Sequence, residues 1–322
     1  MPDAMPTTGP EPQKQWRAVL LTSLLCGLPA LSPVFDFLHF LIPLAPFYFS
    51  VTLGQKRGHH VCLFAFIIAG LFSVLAGDIG NAIFPLILFP VGFLLAWARE
   101  KRKSVAWAGV AATGAVLLGW LAAGLLFWQS TGLNPYSQGL AAMDQTMAAM
   151  AEMYTTSGDF SPEVVKEIEQ GFDQARQKLP QIFPALLIIS AIVVSWLNMV
   201  LGNRLLERFA PERTIWPPYR FWRLPDNLVW LVILAGVCTI VPVAAVKAVG
   251  LNGLLLMGNI YFFQGVAVLF AMMARWNAPK AIRIFLYIFI FIQTYSIVLL
   301  AVLGIVDVWK DLGNIYKEEE TP

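Results

Sequence analysis

Six polar residues near the ends of apolar runs hold most of the chemistry this sequence offers: Asp36, Asp78, Asn81, Lys247, Asn252 and Asp307. One lysine among three carboxylates, with two amides beside them, would hold an anionic or zwitterionic ligand by counter-charge. Clustering would also lower the desolvation cost of each charge. The simpler reading is that each residue marks where its helix meets water. Gln264 and Gln293 fall near the middle of consecutive apolar segments, where an interhelical amide pair is worth about 0.6–2 kcal/mol. Asn198, Ser195 and Asn259 suit the same packing role.

Nothing in the chain activates a nucleophile. The motifs G-x-x-x-x-G-K-[ST], H-E-x-x-H and G-x-S-x-G are missing, so the chain cannot hydrolyse ATP by a P-loop. His59 and His60 stand in a basic turn with Lys56 and Arg57, and His39 begins an apolar run near Asp36; all three read as interfacial. Cys26, Cys62 and Cys238 lie inside apolar runs, which excludes a disulfide framework and a zinc site. No enzyme activity, metal or cofactor is expected.

The elements that must position these residues are membrane helices. Of 322 residues, 58% are hydrophobic and 13% charged, about half the usual charge of a soluble domain. Mean hydropathy is +0.67, and no nucleic-acid-binding pattern is present. The apolar runs are continuous rather than alternating, which excludes a barrel and points to an all-α integral membrane protein. At roughly 20 residues per crossing, about nine spans are readable: 17–34, 37–53, 60–77, 79–98, 104–128, 181–202, 226–249, 252–274 and 281–306. The first reads as an uncleaved anchor behind a disordered tail, 1–16. A basic loop, 203–225, precedes span seven, and a polar tail, 310–322, ends the chain.

With the N-terminus inside, sixteen of the 22 basic residues fall on the cytoplasmic side, among them Arg99, Lys101, Arg102, Lys103 and Arg213. That is the positive-inside pattern. An odd number of spans puts the C-terminus outside.

Residues 129–180 form the one large polar segment, with seven acids against three bases. Met143, Met147, Met150 and Tyr154 recur at helical spacing, as do Val165, Ile168, Phe172, Ala175 and Leu179. Ser161-Pro162-Glu163 supplies a helix start. An extracytoplasmic antiparallel hairpin follows. Its methionines, with Met153, would suit copper(I), but no His or Cys joins them, and packing of the seam accounts for them.

Small residues mark helix contacts: Ala111, Ala115, Gly119 and Ala123 on span five, and Ala18, Thr22, Cys26 and Ala30 on span one. The second stripe is a candidate contact for other membrane subunits.

Three segments carry a resemblance. They are Phe221-Trp222-Arg223-Leu224-Pro225 in the basic loop, Phe262-Phe263-Gln264-Gly265 in span eight, and Gly304-Ile305-Val306-Asp307-Val308-Trp309 at the end of span nine. Together they resemble the YybS-like family of bacterial membrane proteins over nearly the whole chain. Trp222, Arg223 and Pro225 read independently as a rigid interfacial entry to span seven. The resemblance brings no catalytic residues. It does imply a distant likeness of spans one to six to the substrate-binding S-components of energy-coupling-factor transporters, which is fold-level analogy. The function expected is a small-molecule binding or transport component of the bacterial cytoplasmic membrane without its own ATPase. The alternative is a non-transporting scaffold that organises envelope proteins.

Overall fold

A computed structural model describes residues 12–156, 160–293 and 295–312. Every regular element among them is helical, so the protein is an all-α polytopic membrane protein. The helices are α1 (Pro12–Gly27), α2 (Leu44–Leu53), α3 (Gln55–Leu75), α4 (Ile83–Glu100), α5 (Val105–Thr131), α6 (Pro135–Thr156), α7 (Pro162–Phe209), α8 (Val229–Ile240), α9 (Ala244–Arg275), α10 (Lys280–Ile292) and α11 (Tyr295–Lys310). Residues 1–11 of the expected tail lie outside the described residues. Residues 12–16 begin α1 rather than belonging to a disordered tail, and residues 313–322 of the polar tail also lie outside the described residues.

The nine crossings read from hydropathy reduce, among the described residues, to five helices long and apolar enough to span a bilayer. A sixth arises if Pro33–Leu41 and α2, bent by 46°, count as one. Prolines and polar breaks account for the difference. The 3-10 stretch Pro33–Leu41 delays α2. Val241-Pro242-Val243 is extended and turns α8 into α9, because proline lacks an N–H and biases the residue before it away from helix. The break expected between the spans 226–249 and 252–274 falls instead inside α9, at Gly250 and Leu251. A Cβ there would meet the backbone of Cys238 and Thr239 at 2.7–2.9 Å, so Gly250 serves the close approach of α8 and α9. The ninth span breaks at Gln293, leaving α10 of 13 residues and α11 of 16.

Two compact units divide the chain. The first holds Met1–Ala123 and Ala191–Pro218, the segments read as spans one to six apart from the outer ends of the fifth and sixth. Here α1 packs on α3: Ala18, Thr22 and Cys26 are buried, and Ala18 and Val19 form a core with Val61. Three of the four residues of the small-residue stripe are therefore covered within the chain, and the fourth, Ala30, is half-buried. Gly92 admits Pro43 and Phe47 of the α2 region against α4, and the Phe47 ring stacks on Trp216 at 5.8 Å.

The second unit holds Gly124–Ser190 and Tyr219–Pro322. Its hairpin is antiparallel, as the seam predicts. Tyr136 packs edge-on against Phe183, Asp144 is held by Arg176 through two hydrogen bonds of 2.6 and 2.8 Å, and Tyr154 stacks on Phe172. The return helix does not stop at Pro180: α7 runs on through Pro180 and Pro184. Pro184 has no N–H for the Pro180 carbonyl, which instead accepts from the Tyr136 hydroxyl at 3.5 Å. The next link is repaired by Asn252, which accepts from Ala185 N and donates to the Gln181 carbonyl. Neighbouring helices thus satisfy what the prolines open, as membrane helices require.

Acid should loosen this hairpin. The hydrogen bond from Arg176 holds the Asp144 carboxyl below its ordinary range, and Glu163 is held low by its own backbone N–H and by Ser161. A carboxyl lowered on folding stabilises the fold above its unfolded value, and that contribution disappears as pH falls through the folded value. Amide protection over residues 143–156 and 160–179, relative to the intrinsic exchange rate at each pH, should therefore fall below about pH 4, and the step should shrink in Asp144→Asn. An unchanged acid step in that variant would remove the Asp144 contribution.

α11 lies antiparallel on α9, with Gly265 against Leu300 and Gly304 against Tyr261. The end of α11 meets the loop before α8, where Arg223 donates to Asp311 at 2.9 Å. This places residues 307–311 with the basic loop, whereas nine spans would put them on the opposite face. Cysteines at Arg220 and Lys310 should consequently label from the same side of the membrane. Labelling from opposite sides would contradict this packing.

Candidate functional site

The six residues expected to share a pocket take separate roles. Asn81 is buried in the first unit. Its Nδ2 donates to Cys26 O at 3.0 Å and reaches Ser73 Oγ at 3.4 Å, while its Oδ1 lies 2.6 Å from His39 Nε2. It ties α1, α3 and the 3-10 stretch together. In the same unit Asp36 stands exposed on the 3-10 stretch Pro33–Leu41, and Asp78 stands exposed just before the 3-10 turn Ile79–Ala82. In the second unit Asn252 repairs α7, Lys247 is exposed, and Asp307 is buried and accepts from Gln264 at 2.9 Å. Lys247 and Gln264 are seventeen residues apart on α9, about 25 Å at 1.5 Å per residue. The single pocket around Lys247 therefore does not include Asp307.

Gln264 does not pair with Gln293, which lies in the break between α10 and α11. Its amide instead joins all three segments that carried the resemblance. Nε2 donates to Asp307, and Oε1 accepts from Leu224 N at 3.0 Å. Arg223 reaches Asp311 and Asp226, Trp222 stands edge-on to Tyr219 at 5.3 Å, and the Tyr219 hydroxyl donates to the Phe263 carbonyl. Pro225, in extended conformation, caps the short 3-10 turn that leads into α8. The buried partners are already paired, so this cluster is a structural clasp with its polar capacity largely spent.

Among the described residues, buried polar atoms without a partner occur in both units, Asn259 Oδ1, Tyr261 Oη and Ser296 Oγ among those of the second. A cavity lined by residues that carry such atoms, however, lies in the first, at the end where basic loops meet. A cavity of about 230 Å³ is lined by Ser50, Val51, Gly54, Gln55, Ala96, Arg99, Glu100 and Arg213. Helix α4 brings Arg99 here on its buried face: Leu88, Gly92, Leu95 and Arg99 recur at 4-3-4 spacing and are all buried. The bend from α2 into α3 at Gly54 (φ +89°) brings Ser50 and Gln55. Arg213 is fixed by its Nη1 donating to the Val51 carbonyl at 2.7 Å, and the loop by Trp216 Nε1 donating to the Lys103 carbonyl at 3.0 Å.

Arg99 is 9% exposed, and its Nε has no partner among the described residues; Ser50 Oγ is likewise buried and unpaired. An unsatisfied buried polar group costs about 1–3 kcal/mol, more when charged. The Arg213 cation repels Arg99 rather than relieving it. The sequence reading counted both arginines only as topology signals. The missed signal was that Arg99 continues the apolar stripe of α4, where a surface charge does not belong.

Comparison with known proteins agrees with the fold. Over 196 residues, 59% of this chain, the sequence is 22% identical to the "Uncharacterized protein YybS" of Bacillus subtilis (strain 168), of which it covers 62%. The chain thus spans about three fifths of the length of that curated relative. No solved structure matches. The model of the family described as "Predicted membrane protein (DUF2232)" matches residues 20–308, nearly the whole described chain, and the protein belongs to that family.

Proposed function

We propose that this multi-pass protein is a small-molecule-binding component of a membrane transport process, with no ATPase of its own. The observation that supports it is the cavity at Arg99, where buried donors lack acceptors. Proteins satisfy such groups with side chains, water or a ligand, and a concave site with a few convergent polar groups is the usual form of a binding site. The charge split between loops supports a cytoplasmic N-terminus in a bacterial cytoplasmic membrane, with the cavity on the inner face. The first unit gathers most of the expected six-helix part, which keeps the S-component analogy in play at the level of fold alone.

The scaffold reading has its own support. The hairpin carries exposed Met150, Met153, Tyr154 and Phe160 near its tip, an apolar surface a partner protein could cover. Native mass spectrometry of the gently extracted protein separates the two readings. A small molecule retained by the folded chain and released on unfolding supports binding. A chain that carries none but retains an envelope protein supports the scaffold.

A further inference from the structure

The same cavity indicates the chemistry of its occupant, provided the binding reading holds. Its donors are Arg99, Arg213, Ser50 Oγ and the start of α3. That helix has 21 residues, its N-cap Gly54 offers no side-chain acceptor, and its first residue Gln55 lines the cavity. The first N–H groups of a helix lack intrahelical acceptors and carry the positive end of the dipole, which favours anions. A Cβ on Gly54 would meet nothing within 4 Å, so the approach to that helix end is open.

Acceptors are scarce. Glu100 is the one carboxylate lining the cavity; it is exposed and accepts from Gln55 Nε2 at 2.6 Å. Glu212 lies beyond the lining, 3.8 Å from Arg213 Nε. Among the described residues Arg99 has no ion pair, and Ser50 Oγ no hydrogen bond. Two guanidinium groups and a helix start facing one space suit an anion of more than one charge. Guanidinium forks match phosphate bidentately, and a phosphate monoester carries about −1.5 to −2 at pH 7. The volume of about 230 Å³ lies below the roughly 300–1,000 Å³ of drug-sized sites, so it fits a phosphate with a small substituent.

We infer that the cavity bounded by Arg99, Arg213, Ser50 and the start of α3 binds a phosphate monoester, either a small soluble one or the headgroup of a lipid. Arg99 is the anion's main ligand, Ser50 donates a further hydrogen bond, and Arg213 supplies the second charge while holding Val51.

Thermal unfolding of the full chain in dodecyl maltoside tests this. The probes are sn-glycerol 3-phosphate and phosphatidic acid, with chloride at matched ionic strength and phosphatidylcholine as references. The midpoint should rise by several degrees with at least one probe, since a ligand bound only by the folded state stabilises it. A rise with glycerol phosphate identifies a soluble source, and a rise with phosphatidic acid alone identifies a lipid. Arg99→Gln should unfold in chloride no earlier than wild type, having lost a repelled buried cation, and should lose the rise. If that variant does not fold, Arg99→Lys and Ser50→Ala decide, each expected to weaken the response at least several-fold. No rise above both references, or an equal rise in the substituted proteins, overturns the inference. A retained molecule without phosphorus also overturns it, while leaving the binding function intact.

Discussion

Gly304→Ala is expected to lower the yield of folded protein severely. A Cβ at this position would run into the Tyr261 carbonyl, and would stand 2.8 Å from Gly265 N and 3.1 Å from Gln264 Cβ. Two of these are backbone atoms of α9 and cannot rotate away. The helices must separate, which opens the packing around Tyr261, Ser296 and Leu300, all buried. Overpacking costs about 1–3 kcal/mol and more where backbone must move, against a total stability of only about 5–15 kcal/mol. Gly258→Ala on α9, the facing helix, is the control. A Cβ there meets nothing within 4 Å, so the change should be neutral or slightly stabilising. Size-exclusion profiles and thermal midpoints of the two variants provide the comparison; equal behaviour would contradict the α9–α11 crossing.

Gln264→Leu should be nearly as damaging. It removes one donor from buried Asp307 and the acceptor of Leu224 N, and a hydrogen bond lost at a buried group costs about 1–3 kcal/mol, more at a charge. Replacing both partners of a polar contact by apolar groups is far milder. Asp307→Leu in the Gln264→Leu background should therefore recover part of the lost midpoint. If Gln264→Leu leaves the midpoint within a degree of wild type, the clasp contributes nothing to stability. Arg223 and Asp311 add little, because the pair is half exposed and solvent screens it.

The helical class was legible because the apolar runs leave only helices as spanning structures. The hairpin was legible because both of its helices carry one apolar face, and Pro162, placed at a helix start, begins α7. What could not be read depended on tertiary partners. Pro180 and Pro184 signal a helix end unless Tyr136 and Asn252 serve the carbonyls of Pro180 and Gln181, from which they lie 44 and 71 positions away. Gly250 and Pro242 are both turn residues, and only the close approach of Ala235 and Thr239 shows which one turns the chain. Depth misled the pairing of Gln264: in a straight ninth span Gln293 lies at its level, whereas the break at Gln293 lets α11 bring Asp307 there.

The candidate site was missed for a related reason. Charge counting treats every arginine at a span end as interfacial, and Arg99 differs from Lys101 and Arg102 only in facing inward. That Asp36, Asp78 and Lys247 are exposed agrees with the simpler reading that they mark helix ends in water. Asn81 and Asn252, read as ligand-binding neighbours, are buried or half-buried amides that join backbone segments.

The central claim is that the cavity beside Arg99 holds a small molecule. Ala96 lines it, is 4% exposed and contributes no polar contact, so Ala96→Trp would fill the space without removing a hydrogen bond. Native mass spectra of wild type and Ala96→Trp, extracted identically and both shown to be folded, provide the most direct measurement. The account predicts an added mass on wild type that is missing from the filled variant. The same added mass on both proteins, or none on either, would contradict it.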